Sequence, residues 1–241
     1  MKTVYWCPVI KNDNLGVDEL KIYEPESVIK TINPKDFFGL DASRCPAIVD
    51  EIKNTFAIRS PIDFHINYDA EGDIISNSPY DQQFLANYLG QPNPEKVHQI
   101  QDPCYFFFCE EDLTVTQLPA YYAENSVTEN CMQITGTYNI SKWARPVAPA
   151  IKFKKHTSEY SVTRGDIICY YKFNTEEKIR LQRFDGSKMF QDSLGVPMQC
   201  LRYKFLKSNP MIPTPLAECY NAFMQAKFKK KIMNYIKENL L

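Results

Sequence analysis

The chain has 241 residues, of which 44% are hydrophobic and 24% are charged, and its formal net charge at pH 7 is −1. These values are ordinary for a globular protein, and the near-neutral balance excludes a general electrostatic affinity for nucleic acid. No apolar run approaches the ~20 residues of a membrane-spanning helix, and the first residues lack the apolar core of a secretion signal, so we expect a protein of a reducing cytoplasm.

The first hundred residues predict a mixture of strands and helices. The segment VYWCPVI is typical of a strand, and Pro8 indicates a sheet edge because proline donates no backbone hydrogen bond. A short internal helix is predicted in RCPAIVDEIKNTF, with Pro46 at its first turn. Strands follow in TFAIRSPIDFHINYDAEGDIIS. The segment NSPYDQQFLANYLG, residues 77–90, has the start and stop signals of a helix.

Residues 101–206 predict a β-rich body. Seven short runs rich in aromatic and β-branched residues are separated by turn residues, a spacing typical of a β-sandwich or jelly roll. The runs are CYFFFC, LTVTQLP, MQITGTYNI, VAPAIKF, EYSVT, IICYYKF and KIRLQRF. We therefore predict a mainly β (α+β) fold in a single domain, 1–241, with a β-sandwich or jelly-roll-like body, a short internal helix and a long C-terminal helix.

Residues 214–239 predict that long C-terminal helix, beginning at Thr214 and Pro215. From residue 202 onward eight Lys or Arg stand against two Glu, a net of 8 − 2 = +6, which leaves −1 − 6 = −7 for the preceding 201 residues. A partner-binding surface is predicted on five of these lysines: Lys227, Lys229, Lys230, Lys231 and Lys237. We expect a protein partner or self-association there. Nucleic-acid binding and a merely solvated helix face are the alternatives.

The eight cysteines predict no metal site and no disulfide framework. No C-x-x-C pair exists, and the odd spacing of Cys104 and Cys109 in a strand directs them to opposite faces. The glycines never cluster into a phosphate-binding loop, and no spacing marks a nucleophile beside one of the three histidines. We predict no cofactor and no catalytic residue.

Two turn motifs in the segment 136–173 resemble a known fold. The stretch GTYN at 136–139, followed by RGD leading into IICYYKF, is similar to the Gly-x-x-Asp and Gly-Asp turns of the trimeric dUTPase and dCTP deaminase fold. The resemblance implies a nucleotide-processing hydrolase as an alternative function. Asn139 stands where that family has a carboxylate, and an amide cannot act as a general base near neutral pH.

A second resemblance spans roughly residues 1–185. The stretches YWCPVI, CPAIVDEIKNTFAIRSPIDF, NISKWARPV and RGDIICYYKF together resemble a family of unknown function from marine and cyanobacterial tailed phages. The resemblance implies a viral protein that is made in the cytoplasm of the infected bacterium and acts there or in the virion. It carries no catalytic residues that could be transferred to this chain.

Six residues around these motifs have two interpretations. In the structural interpretation, Trp143 fills an end of the sandwich, Arg145 lies across its ring, Asp166 accepts bonds from turn amides, and Arg164 pairs with Asp166 or Asp63. In the functional interpretation, they line a pocket for an anionic ligand: Arg59, Asn139, Trp143, Arg145, Arg164 and Asp166. The leading prediction is a non-enzymatic binding protein, either a host-directed effector or a virion or assembly component.

Overall fold

The computed structural model describes residues 1–9, 21–32, 45–68, 74–76, 98–99, 104–143, 145–154, 159–191, 202–203 and 216–241. Strands dominate these ranges, which confirms a mainly β fold of the α+β class. The helix predicted over residues 77–90 and the helix start predicted at 214–215 lie outside the described residues.

The described part of the chain contains sixteen strands and five helices. The strands are β1 Lys2–Val9, β2 Glu26–Ser27, β3 Thr55–Arg59, β4 Phe64–Tyr68, β5 Ile74–Ser76, β6 His98–Gln99, β7 Cys104–Phe108, β8 Thr114–Leu118, β9 Cys131–Gln133, β10 Gly136–Asn139, β11 Ala150–Phe153, β12 Glu159–Val162, β13 Ile167–Phe173, β14 Ile179–Arg183, β15 Phe190–Gln191 and β16 Arg202–Tyr203. The helices are α1 Val28–Thr31, α2 Pro46–Ile52, α3 Ser126–Asn130, α4 Leu216–Met224 and α5 Ala226–Glu238. None of these five helices is both long and apolar enough to cross a membrane.

The described strands form five sheets, of which two are larger by the number of residues in their strands. The first large sheet has the order β14-β1-β7, and the second has the order β10-β8-β13-β3-β2. All pairs of the second sheet are antiparallel, whereas β1 and β14 of the first sheet run parallel. The small sheets are β6-β11-β9, β12-β4-β5 and β15-β16.

The two larger sheets pack face to face, and helices cover their outer faces. Phe107 of the first sheet contacts Tyr171 and Phe173 of the second, with ring centroids 5.4 and 5.5 Å apart. On the opposite face of β7, Phe108 packs edge-on against Phe223 of α4 at 5.9 Å. Strand β7 is therefore buried on both faces, which explains why CYFFF is apolar at every position.

The outer face of the second sheet is covered by the two N-terminal helices. Val28 of α1 and Ile52 of α2 form a core cluster with Ala57 and Tyr170 of the sheet. The helix α2 begins at Pro46 as predicted, because the ring fixes the backbone angle that the first turn needs.

The edge position predicted for Pro8 is wrong, since β1 is the central strand of its sheet. The parallel pairing with β14 ends at Trp6, so Pro8 lies beyond the last paired residue of that neighbour. Opposite Pro8, Tyr105 exchanges both of its backbone hydrogen bonds with Val147 rather than with β1. The missing N–H of Pro8 therefore breaks no ladder bond.

The C-terminal segment forms two helices rather than the single helix predicted over 214–239. Gln225 separates them with an extended backbone, φ −76° and ψ 130°, and its amide bonds to the Ala222 carbonyl. Buried residues of α5 then pack against the outer face of the first sheet: Phe228, Ile232, Met233 and Ile236. The turn at Gln225 lets both helices place apolar side chains on that sheet.

Candidate functional site

The Gly-Asp turn between β12 and β13 is held by hydrogen bonds to β3. Gly165 has φ +95°, a conformation that favours glycine. Its amide donates to the Ser60 carbonyl at 2.9 Å, and Asp166 accepts the Thr163 amide at 2.9 Å on its carboxylate. Arg59 donates to the Gly165 carbonyl at 2.7 Å. The Asp166 carboxylate thus accepts one turn amide, in line with the structural interpretation.

The two arginines at this turn already have partners. The Arg164 amide donates to Asp63 at 2.6 Å, and the Arg164 side chain lies 3.9 Å from the same carboxylate. Arg59 pairs with Glu26 at 3.2 Å. Of the two partners predicted for Arg164, the structure shows Asp63. These contacts hold the turn against the end of β3.

Asn139 belongs to a polar cluster at the end of β10. Its side-chain amide donates to Asp112 at 2.6 Å, and its side-chain oxygen accepts from the Ser141 hydroxyl at 2.8 Å. Lys142 approaches the same Asp112 oxygen to 3.1 Å. The hydrogen bond from Asn139, followed by those from Lys142 and Ser141, lowers the pKa of Asp112 to about 2. A carboxylate with such a pKa is a weak base near neutral pH.

The register of the second sheet separates Asn139 from the Gly-Asp turn. Asn139 pairs with the first residue of β8, and that end of β8 lies beside the end of β13. Arg59 pairs with Ile167 at the start of β13. Because β13 has seven residues, its two ends lie about 20 Å apart. The structure therefore does not gather Arg59, Asn139 and Asp166 into one pocket.

Trp143 and Arg145 form a third, separate group. The Trp143 indole packs against Tyr138 at 4.8 Å and against Tyr220 of α4 at 5.7 Å, and the Arg145 guanidinium lies 5.6 Å from its ring centroid. Burial raises the pKa of Tyr138, and the nearby Arg145 charge opposes the rise. Trp143 Nε1 and Arg145 Nε are buried and have no hydrogen-bond partner among the residues that the structure describes. The contact between the Arg145 guanidinium and the Trp143 ring is the cation–π pair that the sequence predicted.

The five predicted partner-binding lysines lie on α5, and we call them the lysine face: Lys227, Lys229, Lys230, Lys231 and Lys237. Four of them are exposed, and Lys229 is half-buried. Within the described residues none of the five forms an ion pair. The opposite side of the helix is fixed in the core by Phe228 and Ile232. The lysine face is thus a set of cations that have no ion-pair partner in the described part of the chain, on a helix whose other side is packed in the core.

A cleft that the sequence did not predict lies where α2 meets the end of β13. It encloses about 480 Å³ and is lined by Asp50, Lys53, Lys172, Phe173, Asn174, Thr175 and Glu176. These residues come from two segments about 120 positions apart, so neither spacing nor a motif could have joined them. The one feature of the sequence that pointed to this cleft was Lys172, because it is the one charged residue in the apolar run IICYYKF.

Asn54 fixes one wall of this cleft. It has φ 56°, in the left-handed region that asparagine tolerates better than most residues. Its side-chain amide donates to the carbonyls of Thr175 and Glu177, both at 2.8 Å, and its side-chain oxygen accepts the Ile179 amide at 2.9 Å. The Asn54 carbonyl accepts the Phe173 amide at 3.0 Å. The turn after β13 is therefore rigidly attached to the end of α2.

Ion pairs tie the two lysines of the cleft to acidic residues. Lys172 bonds to Glu51 at 2.7 Å, and Tyr121 donates to the other Glu51 oxygen at 3.0 Å. These bonds, with the one from Lys172 first, lower the pKa of Glu51. Lys53 bonds to Glu176 at 2.9 Å.

Six cysteines have side chains that the structure describes; all six are free thiols, and five of them are buried. Burial raises the pKa of Cys131 to about 12 and raises the pKa of Cys7 and Cys169 as well. Buried thiols with raised pKa values are poor nucleophiles. No group of three or more His, Cys, Asp or Glu in the described ranges could hold a metal ion.

Comparisons with known proteins do not assign this chain to a family. No protein-family model matches the chain, and neither a curated protein nor a solved structure matches it.

Proposed function

We propose that this chain is a non-enzymatic interaction protein of a tailed phage and that it binds an acidic protein partner through the lysine face. The observation that supports the proposal is the orientation of α5. Its apolar side packs on the first sheet, and its lysines point outward without ion pairs among the described residues. A solvated helix face usually mixes both charge signs, whereas this one is almost entirely positive.

The position of the lysines within α5 is unfavourable for the helix itself. Four of the five lie among its first six residues, and the first turn contains no acidic residue and no side-chain cap. Positive charges in the first turn of a helix, here Lys227 and Lys229, oppose the helix dipole, at a cost of about 0.3–1 kcal/mol each where exposed. An acidic partner would remove this repulsion, so binding and helix stability favour the same complex.

Apolar residues at both ends of α5 favour a protein partner over nucleic acid. Met224 precedes the helix and is 56% exposed, and Leu241 follows it and is 73% exposed. The lysine face is only about 15 Å long at 1.5 Å per residue. A short basic row between apolar groups matches a protein surface better than a continuous phosphate backbone, which calls for a wider basic field.

The phage origin rests on the motif resemblance across residues 1–185. Under this proposal the protein works in the cytoplasm of the infected bacterium or as a virion component. A jelly-roll-like connection of the strands belongs to the same proposal, although the parallel β1–β14 pair departs from the antiparallel order of jelly rolls.

The lysine face can be tested by charge reversal. In the variant Lys227→Glu, Lys230→Glu, Lys231→Glu, Lys237→Glu, we expect binding to a fluorescent 20-residue poly-glutamate probe to weaken at least tenfold, because four attractive charges become repulsive. Fluorescence anisotropy at low ionic strength measures the affinity. The half-buried Lys229 is left unchanged to preserve the fold.

A matched control reverses four exposed charges elsewhere: Lys30, Lys178, Arg180 and Lys188. It has the same net charge as the test variant and should bind the probe more tightly than that variant does. Equal weakening in both would show a nonspecific charge effect and reject the proposed surface. Tighter binding to a DNA duplex than to poly-glutamate, falling steeply with salt, would instead support nucleic-acid binding.

The two phage roles can be separated by mass spectrometry of purified virions. A virion or assembly component that stays in the particle is expected at a stoichiometric level. Absence from the particle, with abundance in the infected-cell extract, would leave the host-directed effector role.

One contact favours a second function, the dUTPase-like nucleotide hydrolase. Asp112 brings a carboxylate within 2.6 Å of Asn139, at the turn where the resembled family has one. The low pKa of Asp112 argues against a general base. Incubation with the common nucleoside triphosphates and Mg²⁺ tests this function, and no turnover with any of them would end it.

A further inference from the structure

The cleft between α2 and the end of β13 has the dimensions of a small-molecule site. Its volume of about 480 Å³ lies within the ~300–1,000 Å³ of typical ligand pockets. Asn54 braces it through four hydrogen bonds to the segment 173–179. A wall fixed in this way does not have to be ordered by the ligand, which lowers the entropic cost of binding.

The positive groups of the cleft lie deeper than the negative groups that pair with them. The side chains of Lys172 and Lys53 are 24% and 40% exposed, whereas those of Glu51 and Glu176 are 46% and 98% exposed. Each ammonium has three N–H donors and uses one of them on its carboxylate. The inner part of the cleft therefore offers donors to an anionic group.

The Lys53–Glu176 pair can open at little cost. Glu176 is almost fully exposed, and exposed ion pairs contribute only about 0–1 kcal/mol to stability. A ligand carboxylate can thus replace Glu176 as the partner of Lys53 while Lys172 keeps its bond to Glu51.

The rim of the cleft offers acceptors to a cationic group. Asp50 is exposed and forms no ion pair within the described residues. Glu176 becomes available once Lys53 is engaged by a ligand. The charges of the lining residues sum to zero, because Asp50 and Glu176 balance Lys53 and Lys172. Such a balance disfavours multiply charged anions and favours a ligand that carries both signs.

We propose that the cleft binds a small zwitterion of the amino-acid type. The ligand carboxylate bonds to Lys53 and Lys172, and its ammonium group bonds to Asp50 and Glu176. This site is separate from the lysine face of α5, and the inference does not depend on the proposed function.

The first experiment identifies which amino acid binds. Free amino acids are added one by one at about 10 mM to isotope-labelled protein, a concentration that detects dissociation constants in the millimolar range. We expect at least one of them to shift the side-chain amide resonances of Asn54 and Asn174 in a saturable way. No shift of these resonances by any amino acid would overturn the proposal.

The second experiment tests the requirement for both charges. The best amino acid is compared with the matched carboxylic acid that lacks the amino group and with the matched amine that lacks the carboxyl group. Both analogues should bind at least tenfold more weakly, since each leaves one set of charged groups unmatched. An analogue that binds as tightly as the amino acid would contradict a zwitterion site.

Two variants and two controls test whether the residues of the cleft bind the ligand. Asp50→Asn and Lys53→Met change exposed side chains, so the fold is retained, and each should weaken binding at least tenfold. Lys178→Met and the charge-reversed lysine-face variant should bind like the wild type. Unchanged affinity in both cleft variants would place the ligand elsewhere and reject the site, whatever the outcome at the lysine face.

Discussion

Asn54 shows how much of the fold can depend on one side chain. Its positive φ would be strained in most residues, and its three side-chain hydrogen bonds join α2 to the segment after β13. Asn54→Ala removes those bonds and places at this position a residue that disfavours a positive φ. We expect a loss of about 4–5 kcal/mol in the free energy of unfolding, from about 1 kcal/mol for each of the three bonds and 1–2 kcal/mol for the backbone. Urea-induced unfolding followed by circular dichroism measures it.

Asn54→Gly is the matched control, because glycine also loses the bonds but accepts a positive φ. It should be about 1 kcal/mol more stable than Asn54→Ala. If Asn54→Ala unfolds at the wild-type urea concentration, the brace described for the cleft does not contribute to stability.

At the scale of elements, the longer strands were predictable because the local sequence shows their burial pattern, whereas the two-residue strands β2, β6, β15 and β16 were not predicted. Strand β8 alternates buried and half-buried residues as a one-sided strand should, and β7 is apolar throughout because both of its faces are covered. The break at Gln225 was not predicted, since Met224 and Phe228 keep the four-residue spacing of a helix across it. Tertiary packing on the first sheet, rather than local propensity, decides where α4 ends.

The same packing makes a prediction for α5. Ile232 is fully buried between the helix and the first sheet, so Ile232→Ala should cost about 2–5 kcal/mol of unfolding free energy through lost burial and the remaining cavity. Asn234→Ala, an exposed position on the same helix, should stay within about 0.5 kcal/mol of the wild type. Equal stability of the two variants in urea would mean that α5 is not packed as described.

At the scale of the whole molecule, the candidate sites differ in how far they could be predicted. The lysine face is contiguous in sequence, so composition and helical spacing were enough to propose it. The cleft joins residues 50–53 to residues 172–176, and the separation of Asn139 from Arg59 depends on strand register. Pairwise contacts over such distances follow from the topology of the sheets, which local patterns do not encode.

The buried thiols predict how the stability of the whole molecule responds to alkaline pH. Burial raises the pKa of Cys7, Cys131 and Cys169 above their ordinary value of 9.0. Because the folded pKa is the higher one, the stabilisation is complete below pH 9 and is lost above it, as the unfolded chain releases protons that the folded chain retains. The slope approaches about 1.4 kcal/mol per pH unit for each thiol. Urea unfolding in reducing buffer between pH 8 and about 10.5 should show it, and Cys7→Ala should remove one thiol's share. Stability that stays constant across this range would mean that water reaches these thiols in the folded protein, contrary to their burial in the core clusters.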